Sequence, residues 1–392
     1  MTHRIQTLNA ISPIGLGRLP RDQYDVGNDL TDPDALLLRS ADLHSRSIPD
    51  SVLAVARAGA GTNNIPIADL SARGIPVFNT PGANANAVKE LVLAGLLLAA
   101  RNIVPAWAFA HELAGDDAEI NTAVEAGKKQ FAGFELPGRT LGVIGLGAIG
   151  VLVANAAQAL GMKVLGYDPQ LTVDRAWQLS AEVEQATSLD DLFTRSDAIT
   201  VHVPLVEGTK GLVNAERLAM MKPSPVLLNF ARGGIVDEAA VLSALDDGRL
   251  RAYVCDFPSA SLNAHPKVVA LPHLGASTGE AEENCAVMAA DQLRGYLEDG
   301  TIRNSVNFPN ARLPRNGHGD TVTRLAIANS NVPNMVGQIS TLLAGADLNI
   351  VELLNKSRGE LAYTLIDVEG KVPTEIVDKI RGIEGVLTTR VI

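Results

Sequence analysis

The chain has 392 residues, 46% of them hydrophobic and 20% charged, with 35 glycines and a net charge of −11. That length suggests two or three domains, each with its own core, and the balance of apolar to charged residues describes a water-soluble globular protein. The acidic surplus excludes nucleic acid or an anionic membrane as the main partner, since both need clustered Lys and Arg. Two cysteines, Cys255 and Cys285, are too few for a disulfide framework or a metal site and suit a cytoplasmic protein.

The N-terminal "MTHRIQTLNAISP" lacks an apolar core with a cleavage site, so no secretory signal is expected. From Ala35, "ALLLRSADL" reads as a short buried strand, and "LAVARAGAGTNNI" repeats that form. "IADLSARGIPVFNTPG" then predicts a helix stopped by Gly74 and a strand through Phe78. Strands alternating with helices imply a parallel sheet, whose ligands sit beyond the carboxyl ends of the strands. Arg39, Ser40 and Arg57 fall at that rim. "LVLAGLLLAA" is too short to span a bilayer and predicts a buried helix.

A second alternating series runs from "GRTLGVIGLGAIG" through "MKVLGYDP", "DAITVHVP", "SPVLLNFARGG" and "LRAYVCDFP" to "KVVALPHLG", six strand-like runs that predict a doubly wound sheet. "GEAEENCAVMAADQLRGYLEDG" predicts a helix ended by Gly300. The Pro- and Gly-rich stretch from Phe308 to Thr321 predicts a linker. The remaining runs alternate strand, helix, strand, strand, helix, strand, a ferredoxin-like βαββαβ order.

The "GLGAIG" turn lies between an apolar strand and a helix, with Asp168 at the end of the next strand. This context predicts a dinucleotide site. Gly145 permits the turn, Gly147 lets the backbone approach a pyrophosphate, and Gly150 lets the helix pack close, with Ala148 and Ile149 opening that helix. Asp168 would accept from the ribose hydroxyls and repel a 2′-phosphate, which favours NAD over NADP. At the reacting end, Arg232 in "NFARGG" offers a guanidinium fork for a carboxylate. Of the two histidines in the last segment, His265 reads as a solvated loop residue, whereas His273 follows a strand at the ligand rim and is the expected acid/base.

"RAGAGTNNI", "VFNTPGANANAVKEL", "GLGAIG", "NFARGGIVDE" and "PHLGAST" occur in this order. They resemble the D-2-hydroxyacid dehydrogenase family, in its phosphoglycerate-oxidising branch. The resemblance implies a flavodoxin-like substrate domain at 1–85 and 276–308, an inserted NAD domain at 86–275, a linker at 309–320 and a regulatory ACT domain at 321–392. It further implies NAD-dependent oxidation of a phosphorylated 2-hydroxy acid, at the first step of serine synthesis, by a homodimer or homotetramer. Activity on another D-2-hydroxy acid or 2-oxoglutarate, or an NAD(H)-sensing protein of low turnover, are the alternatives.

Carried over by motif, Arg39, Ser40 and Arg57 bind substrate, Arg232 holds the carboxylate and His273 exchanges the proton. Val203, Phe230, Ala231, Asp256, His273 and Gly275 line the cofactor with the glycine turn, and Asn329, Asn331 and Asn349 are placed to meet an L-serine effector. No metal is implied. One departure stands out: the glutamate that the family pairs with its histidine is replaced by Ala260, or by Ser261 if the register shifts. Asp256, Glu282 and Glu283 are the carboxylates considered as substitutes.

Overall fold

The computed structural model describes residues 2–315 and 321–392. It divides into two compact units, 1–83 with 282–392, and 84–281. Within the first unit, β1 (His3–Leu8), β2 (Tyr24–Gly27), β3 (Ala35–Leu38), β4 (Ala54–Arg57) and β5 (Val77–Phe78) form a parallel sheet in the order β2-β1-β3-β4-β5. This is the flavodoxin-like order. β3 is buried along its whole length, as a parallel strand covered on both faces must be. β1 and β2 escape a periodicity reading because their burial is irregular and their residues mostly polar.

The second unit holds β6 (Thr140–Ile144), β7 (Lys163–Tyr167), β8 (Glu184–Gln185), β9 (Ala198–Val201), β10 (Val226–Asn229), β11 (Ala252–Cys255) and β12 (Val268–Ala270). They run in the order β12-β11-β10-β9-β6-β7-β8, all parallel. The seventh strand, β8, is a two-residue edge that six apolar runs do not predict. Successive residues face opposite cores: Val143, Leu228 and Val254 on one side, Ile144, Leu227 and Tyr253 on the other. The apolar helix Ala85–Ala100 is buried against the first of these cores through Val88, Val92 and Leu96. No single helix among the described residues is long and apolar enough to cross a membrane. The helices Ile103–Glu112 and Asp117–Gly127 bury no residue, which is why the core pattern does not announce them.

The C-terminal segment forms an antiparallel sheet of β13 (Val322–Ser330), β14 (Ile350–Arg358), β15 (Leu361–Glu369) and β16 (Val386–Val391), ordered β14-β15-β13-β16. With the helices Met335–Gly345 and Thr374–Arg381 this is the predicted βαββαβ module. Ile327 and Ile366 pack under those helices, while Ala326, Ala328 and Tyr363 join the core of the first sheet and the helix Gly279–Asp299. Buried Arg324 pairs with Asp367 at 2.6 Å through two parallel bonds. It also donates to the carbonyls of Asp299 and Leu313, at 3.1 and 2.8 Å. Arg390 donates to Tyr296 and Leu297. These guanidiniums bond to carbonyls in the last turn of that helix, where intrahelical partners run out. The expected linker is therefore packed at its start, with Phe308, Pro309 and Ala311 buried, while 316–320 lie outside the described residues.

Candidate active site

The turn after β6 is built from missing side chains. Gly145 takes φ +90°, and a Cβ there would stand 2.7 Å from the His202 carbonyl. A Cβ on Gly150 would lie 1.9 Å from the Gly145 carbonyl, so the helix Ala148–Ala159 can approach the turn only without one. Gly147 caps that helix with no side-chain bond and faces open space. The first-turn N–H groups are thus left for an anion, and the residues fit the pyrophosphate of a dinucleotide. Asp168, one residue past β7, accepts from the N–H of Leu146 and of Gln170, both at 2.8 Å. Its carboxylate is held at the turn and disfavours an added 2′-phosphate. Val203, one position past His202, is half-buried beyond β9. Burial holds the His202 imidazole down to about 3, hence neutral, with Nε2 on Thr200 at 2.9 Å.

Beyond β10, Phe230 is buried, Ala231 half-buried and Arg232 exposed. The turn is shaped by Asn229, a residue that motif reading passes over. Its fully buried amide donates to the Arg232 carbonyl at 2.8 Å and accepts from the Ala231 N–H at 3.1 Å. Arg232 meets no carboxylate among the described residues and donates to the Ala231 carbonyl at 2.7 Å.

His273 lies beyond β12, exposed, with φ +57°, a left-handed conformation that costs a non-glycine residue of order 1–3 kcal/mol. The compensation comes from Asp256, which follows β11 and is 1% exposed. Its two oxygens accept from the next two N–H groups of the histidine loop, Leu274 at 2.7 Å and Gly275 at 2.8 Å. Charge-assisted bonds of this kind are the strong ones. Asp256 therefore clamps the backbone that presents His273. The imidazole rests edge-on against Phe257, with ring centroids 5.2 Å apart.

No carboxylate occupies the position of the family's glutamate. Ala260 is exposed and opens a short helix capped by Ser259. Ser259 donates to Glu238 at 2.8 Å, and Ser261 lies 3.4 Å from the same oxygen. One loop thus carries both Phe257 and the hydroxyls held by Glu238, another residue that sequence reasoning missed. Its only signal is its place just after "GGIVD". The expectation of a solvated His265 is corrected: its side chain is 13% exposed, 3.3 Å from Asp246, and accepts from the Lys267 N–H. Asp246 on one ring nitrogen and the Lys267 N–H on the other hold it in.

In the first unit, Arg39 and Arg57 end the adjacent strands β3 and β4. Arg39 pairs with Glu282 at 2.6 Å, which commits that candidate carboxylate. Arg57 donates to the carbonyls of Arg39 and Gly61, at 2.9 and 2.5 Å. Asn9 accepts from the N–H groups of Ser40 and Ala41, another support that no motif marks. In the C-terminal module, Asn329 is buried and bonded to Ser330, and Asn331 donates to Gly359. Asn349 stands beside Glu369, whose partner in β13 is Val322. The three asparagines are therefore not brought together: seven strand positions separate Val322 from Asn329, about 24 Å.

Residues 96–275 match the family profile described as D-isomer specific 2-hydroxyacid dehydrogenase, NAD binding domain. The chain is 34% identical to the D-3-phosphoglycerate dehydrogenase of Haemophilus influenzae, over 85% of this chain and 79% of that protein. It is 34% identical to that of Methanocaldococcus jannaschii, covering 86% of this chain but 62% of the longer archaeal protein. Among solved structures, a Thermus thermophilus protein aligns with a TM-score of 0.62 at 28% identity, covering 77% of this chain and 99% of that one. The NAD+-bound 3-phosphoglycerate dehydrogenase of Entamoeba histolytica aligns at 0.59 and 25% identity, covering 78% and 99%.

Proposed function

Because the chain belongs to the NAD-dependent D-2-hydroxyacid dehydrogenase family, we propose that it oxidises 3-phosphoglycerate to 3-phosphohydroxypyruvate, the first step of serine synthesis. NAD, when bound, supplies the hydride acceptor. Arg232 grips the substrate carboxylate, His273 takes the hydroxyl proton, and Arg39, Ser40 and Arg57 receive the phosphate. The observation that carries this reading is the presentation of Arg232 and His273 beyond β10 and β12, on either side of β11 and the Asp256 clamp. That sheet also carries the dinucleotide turn. With no glutamate beside it, His273 depends on the clamp and on Phe257 for its orientation, so acid–base positioning is weaker and turnover slower than with a carboxylate partner.

The protein acts as a homo-oligomer in this reading. The helix Ile103–Glu112 leaves Ile103, Val104 and Trp107 at 43, 40 and 64% exposure, an apolar face suited to a second copy. An L-serine effector touching both Asn331 and Asn349 also requires two copies, since one chain holds these residues at opposite ends of its sheet, while the buried Asn329 is not open to an effector. The deciding experiment compares 3-phosphoglycerate with unphosphorylated glycerate by NADH formation, in wild type, Arg39→Ala and Arg57→Ala. The phosphorylated substrate is expected to win by about 10² or more, with the preference collapsing in both variants. Equal use of both acids, or NADH binding without turnover of either, overturns the proposal.

A further inference from the structure

One cavity outside this chemistry combines volume with unpartnered charge. In the first unit a groove of about 580 Å³ runs along the helix Gly279–Asp299, floored by Asn284, Met288, Asp291 and Gly295 and walled by Arg303 and Arg312. Its size is that of a small-ligand site. The floor residues recur at three- and four-residue spacing and so share one helix face. The wall is an antiparallel bridge in which Ile302 and Ala311, both buried, exchange backbone hydrogen bonds at 2.8 and 2.9 Å.

Neighbours of such a pair point to the opposite face. Arg303 and Arg312 are accordingly diagonal neighbours on the groove side, a separation of roughly 7 to 8 Å for such a pair. Asn310 fixes the turn between them by accepting from the Asn304 N–H at 2.8 Å. Neither guanidinium has a partner among the described residues. The carboxylates that share the groove are already paired, Asp291 with Arg18 at 2.8 Å and Asp299 with Arg315 at 3.6 Å. Two like charges held near one another repel, and an oxyanion bridging both guanidiniums relieves that repulsion. On the floor, Gln292 is 5% exposed and donates to the Asn79 carbonyl at 3.0 Å, while its buried Oε1 receives no hydrogen bond.

We propose that this groove is a second ligand site, distinct from the dehydrogenase chemistry, that binds a small organic anion through phosphate or carboxylate oxygens on Arg303 and Arg312. Guanidinium forks bind both kinds of oxyanion in bidentate fashion.

The test titrates the full-length protein calorimetrically with inorganic phosphate and, separately, with citrate, at constant ionic strength. Wild type is compared with Arg303→Gln/Arg312→Gln and with Arg57→Gln/Arg232→Gln, which removes cations of the proposed substrate site for phosphate and for carboxylate. A saturable component is expected to weaken at least about tenfold in the groove variant and to persist in Arg57→Gln/Arg232→Gln, which separates it from the substrate site. The tighter of the two probes identifies a phosphorylated or a carboxylated ligand. Arg303 and Arg312 are exposed and unpartnered, so Tm and turnover should be unchanged in the groove variant. The proposal is overturned if wild type and groove variant bind both probes alike. It is also overturned if the groove variant changes mass by light scattering, because a second copy would then be what covers the groove.

Discussion

In the proposed reaction the turn at Gly145–Gly150 and the loop at His273 serve the two ends of one cofactor, yet they are made in opposite ways. The glycine turn is assembled from backbone and absent side chains: no Cβ fits at Gly145 or Gly150, and Gly147 faces open space. The histidine loop is held by side chains from elsewhere in the chain, Asp256 on its N–H groups and Phe257 on its ring. Binding of the cofactor is therefore a local property of six residues, whereas orientation of the acid/base is a tertiary one. The two should fail differently when perturbed.

The largest effect is expected at the clamp. In Asp256→Asn one oxygen becomes an NH2 group facing an N–H donor, the left-handed His273 backbone loses a support, and a small misplacement of a catalytic group costs about 10² in rate. Stopped-flow assays should show kcat reduced by that order, with a far smaller loss of NADH affinity. Equal losses in both would erase the proposed division between the two loops. Next comes the reciprocal change. Gly150→Ala pushes a methyl into the Gly145 carbonyl, and overpacking of about 1–3 kcal/mol should weaken NADH binding roughly tenfold to a hundredfold, read by fluorescence titration.

The smallest effect tests the missing carboxylate. Ala260 is exposed at the start of a short helix, so an added side chain extends into solvent. Ala260→Glu should raise the plateau of kcat/KM several-fold, within the range of acid–base positioning, and move the acidic limb of its pH profile upward, because the base must be neutral and a carboxylate partner raises its pKa. A profile superimposable on wild type would mean that the clamp alone already orients the imidazole.

How far these sites could be read in advance follows the same division. Asp168, Arg232 and His273 are visible because each stands at a fixed offset from a strand end, and the parallel topology sends every strand end to one rim. Asn229, Glu238 and Phe257 are not visible. An asparagine that closes on the next three residues looks like any strand terminus, and Glu238 gains meaning only when Ser259, 21 positions away, folds onto it. His265 misleads for the same reason, since Asp246 reaches it from the far end of another helix.

The sequence by itself determined the doubly wound sheet, the βαββαβ module and the dinucleotide turn, because these rest on local rules: strand period, helix termination and the space a Cβ occupies. Only the tertiary structure decided that Asp256 would clamp the histidine loop, that Glu282 would be taken by Arg39, and that two arginines would stand unpartnered over a groove. Hydrogen bonds and charge pairs between distant segments are made by proximity, and proximity is a property of the fold.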